Sequence, residues 1–273
     1  PPYKGYPLFR SPEVLASNLK DAGFNLLITA NNHSNDAGQS AFENTLNIIS
    51  ELNLYQTGTF KSQEQRDTIY PLIINKNDFK IAFLNYSYGT NAIPDNYPNI
   101  TNLIDTAQIR KDFNKAQDSC PDLIIACMHW GNEYQLIESA VQARQAAFLA
   151  NLGVDLIIGS HPHVIQPIKW VHRNDGDSIL CVYSLGNLVS NQRFPNTDGG
   201  LLFEIHYRKN IFTDEVSITD FFHHIIWVNR TDACNEHSHG KYYIIPVREY
   251  ENETLGDFVL KDKYLKEMQN FVS

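Results

Sequence analysis

Long apolar runs are missing from this chain. None approaches the ~20 residues that a membrane-spanning helix needs, so no transmembrane segment is expected, and no basic-then-apolar opening reads as a secretory leader. A basic surplus is missing as well. The net charge of −9 disfavours the phosphate backbone of nucleic acid as a partner. The four cysteines (Cys120, Cys127, Cys181 and Cys234) include no C-x-x-C pair, so a zinc ribbon is not indicated. Cys127 and Cys181 fall inside apolar runs and read as small buried hydrophobes. No Asp precedes Asp21, and the chain opens on Pro1-Pro2 without an initiator Met, which points to a processed or shortened form. No repeat, low-complexity tract or linker stands out.

What is present suits a globular α/β chain. Apolar residues make up 42% of the 273, with 15 Phe and 14 Tyr, enough for a sizeable core. The first ten residues read as a connecting loop. Ser11-Pro12-Glu13 reads as a helix start with Ser as N-cap, and the helix stops at Gly23. FNLLIT (24–29) is a short β-rich run followed by the polar cluster ANNHSNDAG and a helix at about 39–52. Strand, polar loop and helix then recur. The strands are IAFLN (81–85), LIIACM (123–128), VDLII (154–158) and ILCVY (179–183), and helices are expected at about 107–117 and 138–152. After about Leu201 alternating runs predict antiparallel strands, and a last helix is expected at about 260–271. The first part reads as parallel and the last as antiparallel, so two mixed sheets packed face to face with helices outside would fit.

Chemistry gathers in the loops that follow strands. Gly159-Ser160-His161-Pro162-His163 carries two His at i and i+2, which an extended strand end would place on one side, within reach of one metal or two neighbouring ones. Asn31-Asn32-His33 follows FNLLIT, and Asp36 stands three residues after His33, placed to orient its ring. His129 ends the run LIIACM. Each motif alone has a plainer explanation: surface histidines, turn-forming Asn side chains, or a structural His. Three such loops at strand ends together favour a metal centre with imidazole and carbonyl donors, suited to Zn, Mn, Fe or Ni. Glu133 and Asn187 are placed as substrate-binding residues of the same edge, with Tyr86, Tyr88, Tyr183 and Asn191 as further lining candidates. His237-Ser238-His239 reads as a solvated loop, and His223-His224 as one inward and one outward strand residue.

In order, ANNHSNDAG, His129 in HWGNEY, GSHPHV and YSLGNLVSNQ resemble the CapA-type capsule synthesis branch of the calcineurin-like metallophosphoesterase superfamily, over roughly residues 5–205. The resemblance implies a four-layer α/β/β/α sandwich of two mixed sheets, and one domain over 1–273 lacking the family's N-terminal strand segment. It implies Asn32, His129 and His161 as ligands of one divalent metal, His163 as ligand of the other, and His33 as general acid. The superfamily's two upstream acidic motifs lie before the chain's first residue. The expectation is therefore an incomplete site that holds at most one ion, weakly, with the ions absent altogether as the limiting case. Whether the chain is an enzyme stays open. The implied role is in capsule or poly-γ-glutamate synthesis, with an acidic polymer or phosphoester as substrate, membrane-associated synthesis machinery as partner, and an extracytoplasmic, surface or membrane-anchored location. Two other readings stay open: a phosphodiesterase or nucleotidase on another substrate, and a non-catalytic surface component that binds an acidic polymer.

Overall fold

Strand–loop–helix alternation governs the first half of the chain, and antiparallel ribbons govern the rest. The computed structural model describes residues 3–231 and 241–247. The His237-Ser238-His239 motif, Cys234 and the helix expected at 260–271 lie outside the described residues. Contacts group the chain into two compact units: Pro1–His129 with Leu152–Leu156, and Trp130–Asn151 with Ile157–Ser273.

The first unit runs α1 (Val14–Asp21), β1 (Leu26–Ile28), α2 (Gly38–Glu51), β2 (Tyr55–Thr57), β3 (Thr59–Phe60), α3 (Gln63–Ile69), β4 (Leu72–Lys76), β5 (Phe79–Ser87), β6 (Ile100–Thr101), α4 (Thr106–Gln117) and β7 (Leu123–His129). Short β1 and β2 pair in parallel, β3 and β6 antiparallel. β4, β5 and β7 lie side by side in that order. β4 is antiparallel to β5 and β5 is parallel to β7, in a register that sets Ser87 opposite His129. The first part is thus mixed rather than parallel. Helices α2 and α4 bury one face each. In α2 that face is Phe42, Leu46 and Ile49 at helical spacing, and in α4 it includes Ile109, Phe113 and Ala116. Each large apolar side chain so buried contributes on the order of 1.5–3 kcal/mol. Asp105 caps α4 by accepting the Gln108 N–H at 2.8 Å.

The second unit runs α5 (Ala140–Leu152), β8 (Leu156–Ser160), β9 (Ile165–His172), β10 (Ser178–Leu185), β11 (Gly199–Lys209), β12 (Val216–Thr231) and β13 (Lys241–Pro246). The last residue of α5 and the first of β8 belong to the first unit. β8, β10 and β9 are neighbours in that order, and β9 and β10 are antiparallel. β11, β12 and β13 form an antiparallel sheet. Ile165, Val182 and Leu201 are the centre of a core that Leu136, Ile158, Ile168, Leu185, Phe203 and Ile225 pack around.

The structure corrects several local expectations. Ser11 does not cap α1. Glu13 occupies that position in helical geometry without a side-chain cap, and Leu15 N–H closes the leading turn on Pro12 O at 3.0 Å. The strand placed at 154–158 starts two residues later, because Asp155 turns its N–H and carboxylate to Ile124 O and N–H (2.9 and 2.8 Å). β9 escapes a sequence reading because Pro167 lacks a donor. As the end strand of its row, β9 tolerates that loss. Short β2, β3, α3 and β4 offer too few residues for a period to show.

Cys127 and Cys181 are buried and free, as their apolar surroundings suggest. Burial pushes the Cys127 thiol up to about 12 and raises that of Cys181 as well. Both therefore stay protonated at neutral pH and poorly nucleophilic. At pH 8 iodoacetamide is expected to label exposed Cys120 in the folded protein, and Cys127 and Cys181 only after denaturation, as read by peptide mass spectrometry. Labelling of native Cys127 would contradict the burial.

Candidate functional site

In the first unit the loop between β1 and α2 is shaped by its own side chains. Asn31 Nδ2 donates to Thr29 O (3.0 Å), and Asn31 Oδ1 accepts the His33 N–H (2.8 Å). Ser34 Oγ accepts the Asn31 N–H at 3.1 Å. This is turn chemistry, in which short polar side chains replace backbone partners. It accounts for Asn31 and leaves Asn32 for other contacts. Asn32 is 4% exposed. Its Nδ2 donates to Asn91 Oδ1 at 3.1 Å, which orients the amide so that Oδ1 faces His129 Nε2 at 2.9 Å.

The loop is held to β5 and β7 by one amide. Asn85, fully buried, accepts the Ala30 N–H on Oδ1 (2.9 Å) and donates from Nδ2 to Cys127 O (3.0 Å). Ala30 lies two residues before Asn32, and Cys127 two before His129. Gly58 makes room for this clamp: at φ +109° it sits where a Cβ would come 1.9 Å from Asn85 Oδ1.

His33 lies in a second set of contacts. Its Nδ1 is 2.7 Å from Asp36 Oδ2, and that oxygen also accepts the Phe9 N–H at 2.8 Å. An ionised carboxylate only accepts, so Nδ1 carries the proton and Nε2 is the atom left for exchange. The Phe9 ring stands edge-on to the His33 ring at 4.6 Å. Tyr88 stacks on His129 at 6.3 Å, donates its N–H to His129 O (2.9 Å) and reaches Asn91 with its hydroxyl (3.3 Å).

The second unit carries the other histidines. β8 ends at Ser160, and His161 and His163 take positive φ of 102° and 61°. The extended strand end expected to put them on one side is therefore not what joins them. A bend does so, with ring centroids 6.0 Å apart. Non-glycine residues held in such regions cost on the order of 1–3 kcal/mol each, and such strain clusters at functional sites. Trp130 fixes the neighbouring turn. It is fully buried, its N–H donates to Ser160 O (3.0 Å) and its Nε1–H to Tyr183 O (2.9 Å). Gly159 is required there, since a Cβ would come 2.0 Å from Tyr183 O. The turn brings Tyr134 N–H to Pro162 O (2.8 Å) and stacks its ring on His163 at 6.1 Å. Glu133 Oε1 lies 3.9 Å from His163 Nε2, and Asn187 Oδ1 lies 3.0 Å from His163 Nδ1. Ligand atoms of Glu133, His161 and His163 all fall within 4.8 Å of one another.

Of the residues singled out in the sequence, the first unit thus brings together Asn32, His33, Asp36 and His129, and the second brings together Glu133, His161, His163 and Asn187. Tyr86 and Tyr183 are core residues. Tyr86 donates to Asp112 at 2.8 Å, Tyr183 stacks on Trp130, and burial raises both phenols so that they stay neutral. Asn191 Oδ1 accepts the Tyr242 hydroxyl at 2.6 Å. On β12, His224 Nε2 lies 3.5 Å from Glu204 Oε2 on exposed surface. Sequence reasoning missed Phe9, Asn85, Asn91 and Gln192. Asn91 left a trace as an Asn within a long Asn- and Pro-rich loop, and Gln192 as the last residue of YSLGNLVSNQ.

These motifs fit what comparison with known proteins finds. The model of the family described as bacterial capsule synthesis protein PGA_cap matches residues 1–192. The chain belongs to that family. The capsule biosynthesis protein CapA of Bacillus anthracis is 29% identical over 204 residues, covering 72% of this chain and 48% of that protein. The PGA biosynthesis protein CapA of Bacillus subtilis (strain 168) is 28% identical over 194 residues, covering 70% and 49%. The chain spans about half the length of these curated relatives. Among solved structures it is similar to the NAD nucleotidase NadN of Haemophilus influenzae, with a TM-score of 0.55 at 14% identity, covering 96% of this chain and 44% of that one. It is also similar to a 5'-nucleotidase precursor of Thermus thermophilus, with a TM-score of 0.52 at 13% identity, covering 94% and 46%. The fold of this capsule-synthesis family member is therefore of the metallophosphoesterase-like nucleotidase kind.

Asn85→Ala leaves the Ala30 N–H and the Cys127 carbonyl without their partner in a buried place. Unfolding in urea is expected to show a loss of about 2–4 kcal/mol, the cost of two unsatisfied buried groups. A loss under about 0.5 kcal/mol would refute the clamp.

Proposed function

We propose that this chain carries a divalent-metal site of the phosphoester-hydrolysing kind that serves synthesis of a capsule polymer, with poly-γ-glutamate as the polymer and an extracytoplasmic place of work. The donors are Asn32 and His129 in the first unit, and His161 and His163 in the second. The observation that carries the reading is the buried pair of Asn32 Oδ1 and His129 Nε2 at 2.9 Å. That spacing is a hydrogen bond, and it is also the ~3 Å that separates adjacent ligands of a cation with bonds of about 2.1 Å. Amide oxygen and imidazole nitrogen suit Mn, Fe, Zn or Ni, so the residues fit such an ion. For His129 to ligate through Nε2, its ring must be neutral with the proton on Nδ1 instead of directed at Asn32.

Bound divalent cations supply Lewis acidity toward a phosphoryl oxygen and toward water. The chain's own residues supply orientation and proton transfer. Asp36 holds the His33 ring with Nδ1–H toward itself, so Nε2 is the atom that, once it has itself taken up a proton to form the imidazolium, passes that proton to a leaving-group oxygen. Phe9 fixes that arrangement twice, by its N–H on the carboxylate and by its ring against the imidazole. Tyr88 and Asn91 hold the Asn32 amide and the His129 ring in register.

The test uses the full-length natural protein and bis(p-nitrophenyl) phosphate with Mn, Fe, Zn or Ni. His33→Ala is expected to lower kcat by about 100-fold or more, with the fold retained by circular dichroism. An unchanged rate would sink the role of His33. Polyglutamate binding that persists in EDTA, with no turnover on any metal, would replace the enzyme by a non-catalytic polymer-binding component.

A further inference from the structure

We propose that Glu133 is a metal ligand, and that with His161 and His163 it forms a three-donor site for a borderline divalent cation built wholly from residues of the second unit. Asn187 is its positioning residue. The proposal rests on the reading of this chain as a metal-binding protein and goes beyond it by adding a carboxylate to the two histidines.

Asn187 is fixed by partners of its own. Its Nδ2 donates to Thr197 O at 2.8 Å and to Gln192 Oε1 at 3.1 Å. A backbone carbonyl only accepts, so the amide is oriented with Oδ1 outward, toward His163 Nδ1 at 3.0 Å. An amide oxygen also only accepts. Nδ1 of His163 is therefore the protonated nitrogen, and Nε2 turns a lone pair away from Asn187. A ligating histidine typically has its second nitrogen held in this way by an oxygen acceptor.

The lone pair of His163 Nε2 faces Glu133. The Nε2 to Oε1 separation is 3.9 Å. A hydrogen bond would draw the two atoms to about 2.8 Å. Two ligands of one cation with bonds of about 2.0–2.2 Å lie between about 3 and 4.4 Å apart. The observed separation falls in the second range. All three donor atoms lie within 4.8 Å of one another. A shift of roughly half an ångström in the Glu133 side chain, which is 43% exposed, brings them within bonding reach of a common ion. One carboxylate and two imidazoles are a donor set for Zn, Co or Mn and a poor one for Ca.

Placement agrees with this chemistry. Tyr134 N–H is pinned to Pro162 O, between the two histidines in sequence. The backbone of Glu133, next to Tyr134, is thereby tied to the His161–His163 bend. Tyr134 also reaches Gln192 Nε2 with its hydroxyl at 3.4 Å, which joins the turn to the residue that holds Asn187.

The experiment is a Co(II) titration of the whole chain at neutral pH, followed by calorimetry and by visible absorption. Wild type is expected to bind Co(II) with the absorption of a low-coordinate N/O site. Glu133→Gln should raise the Kd at least 10-fold and weaken that absorption, while the melting temperature without metal stays at the wild-type value. Asn187→Ala should raise the Kd by about 10–100-fold, as loss of an outer partner of a ligating histidine does. His206→Ala, which removes another histidine beside a carboxylate, should change neither readout. Wild type that binds Co(II) while Glu133→Gln matches it would overturn the Glu133 site and leave the metal reading of the other donors standing. Wild type that binds no Co(II), Zn or Mn would overturn both. Loss of binding on His206→Ala would place the ion at Glu204 and refute the proposal.

Discussion

One buried amide sets the geometry of the first unit. Asn85 sits at 0% exposure with four hydrogen-bonding groups to satisfy. Its side chain takes the Ala30 N–H and the Cys127 carbonyl, and its backbone N–H donates to the Tyr70 hydroxyl at 3.0 Å while its carbonyl accepts from Asn102 Nδ2 at 3.2 Å. The network continues outward. Arg66 donates to Asn102 Oδ1 (2.7 Å) and to Asp112 Oδ2 (2.6 Å), and Tyr86 and Gln108 also bond Asp112. Arg66 lies over the Tyr70 ring at 4.7 Å. A buried ion pair adds little net stability when whole but costs about 3–5 kcal/mol when one partner goes. Such a network acts as a specificity device: only one register of the β1 loop against β5 and β7 satisfies every group.

The second unit solves the same problem with an aromatic anchor. Trp130 buries a large apolar body and spends its only side-chain donor on Tyr183 O, as a buried indole must. Close approach of β8 to that anchor excludes any side chain at position 159. Gln142 then ties the following segment, donating to Gln166 at 2.8 Å and accepting the Ser139 N–H at 2.9 Å. The His-Trp-Gly and Gly-Ser-His stretches are thus two sides of one contact, Trp130 N–H to Ser160 O. The strained backbone at His161 and His163 is held against that rigid frame.

Histidine direction is a common theme. Asp36 and Asn187 each accept from Nδ1 of one imidazole, His33 and His163 respectively, and so turn Nε2 outward. The partners differ in charge. Asp36 holds its ring with a carboxylate and Asn187 with a neutral amide. The chain belongs to the capsule-synthesis family PGA_cap, its fold is nucleotidase-like, and it spans about half the length of its curated relatives.

Residue type and order along the chain were enough to read the strand-end loops, the helices α2, α4 and α5, the family, and the site candidates from Asn32 to His163. Those signals are local: an apolar run, then polar residues, then a helical period. Turn chemistry by itself could not separate Asn31 from Asn32, and only the family resemblance singled out Asn32, because turn chemistry and a partner 97 positions away call for the same amide. It could not show that Glu133 lies beside His163, since that depends on a turn pinned by Tyr134 to Pro162. It held no sign of Asn85, whose role exists only where three strands and a glycine meet. Tertiary structure decided these points for one physical reason. A buried polar group must find its partner in space, and the chain's order does not say which partner that will be.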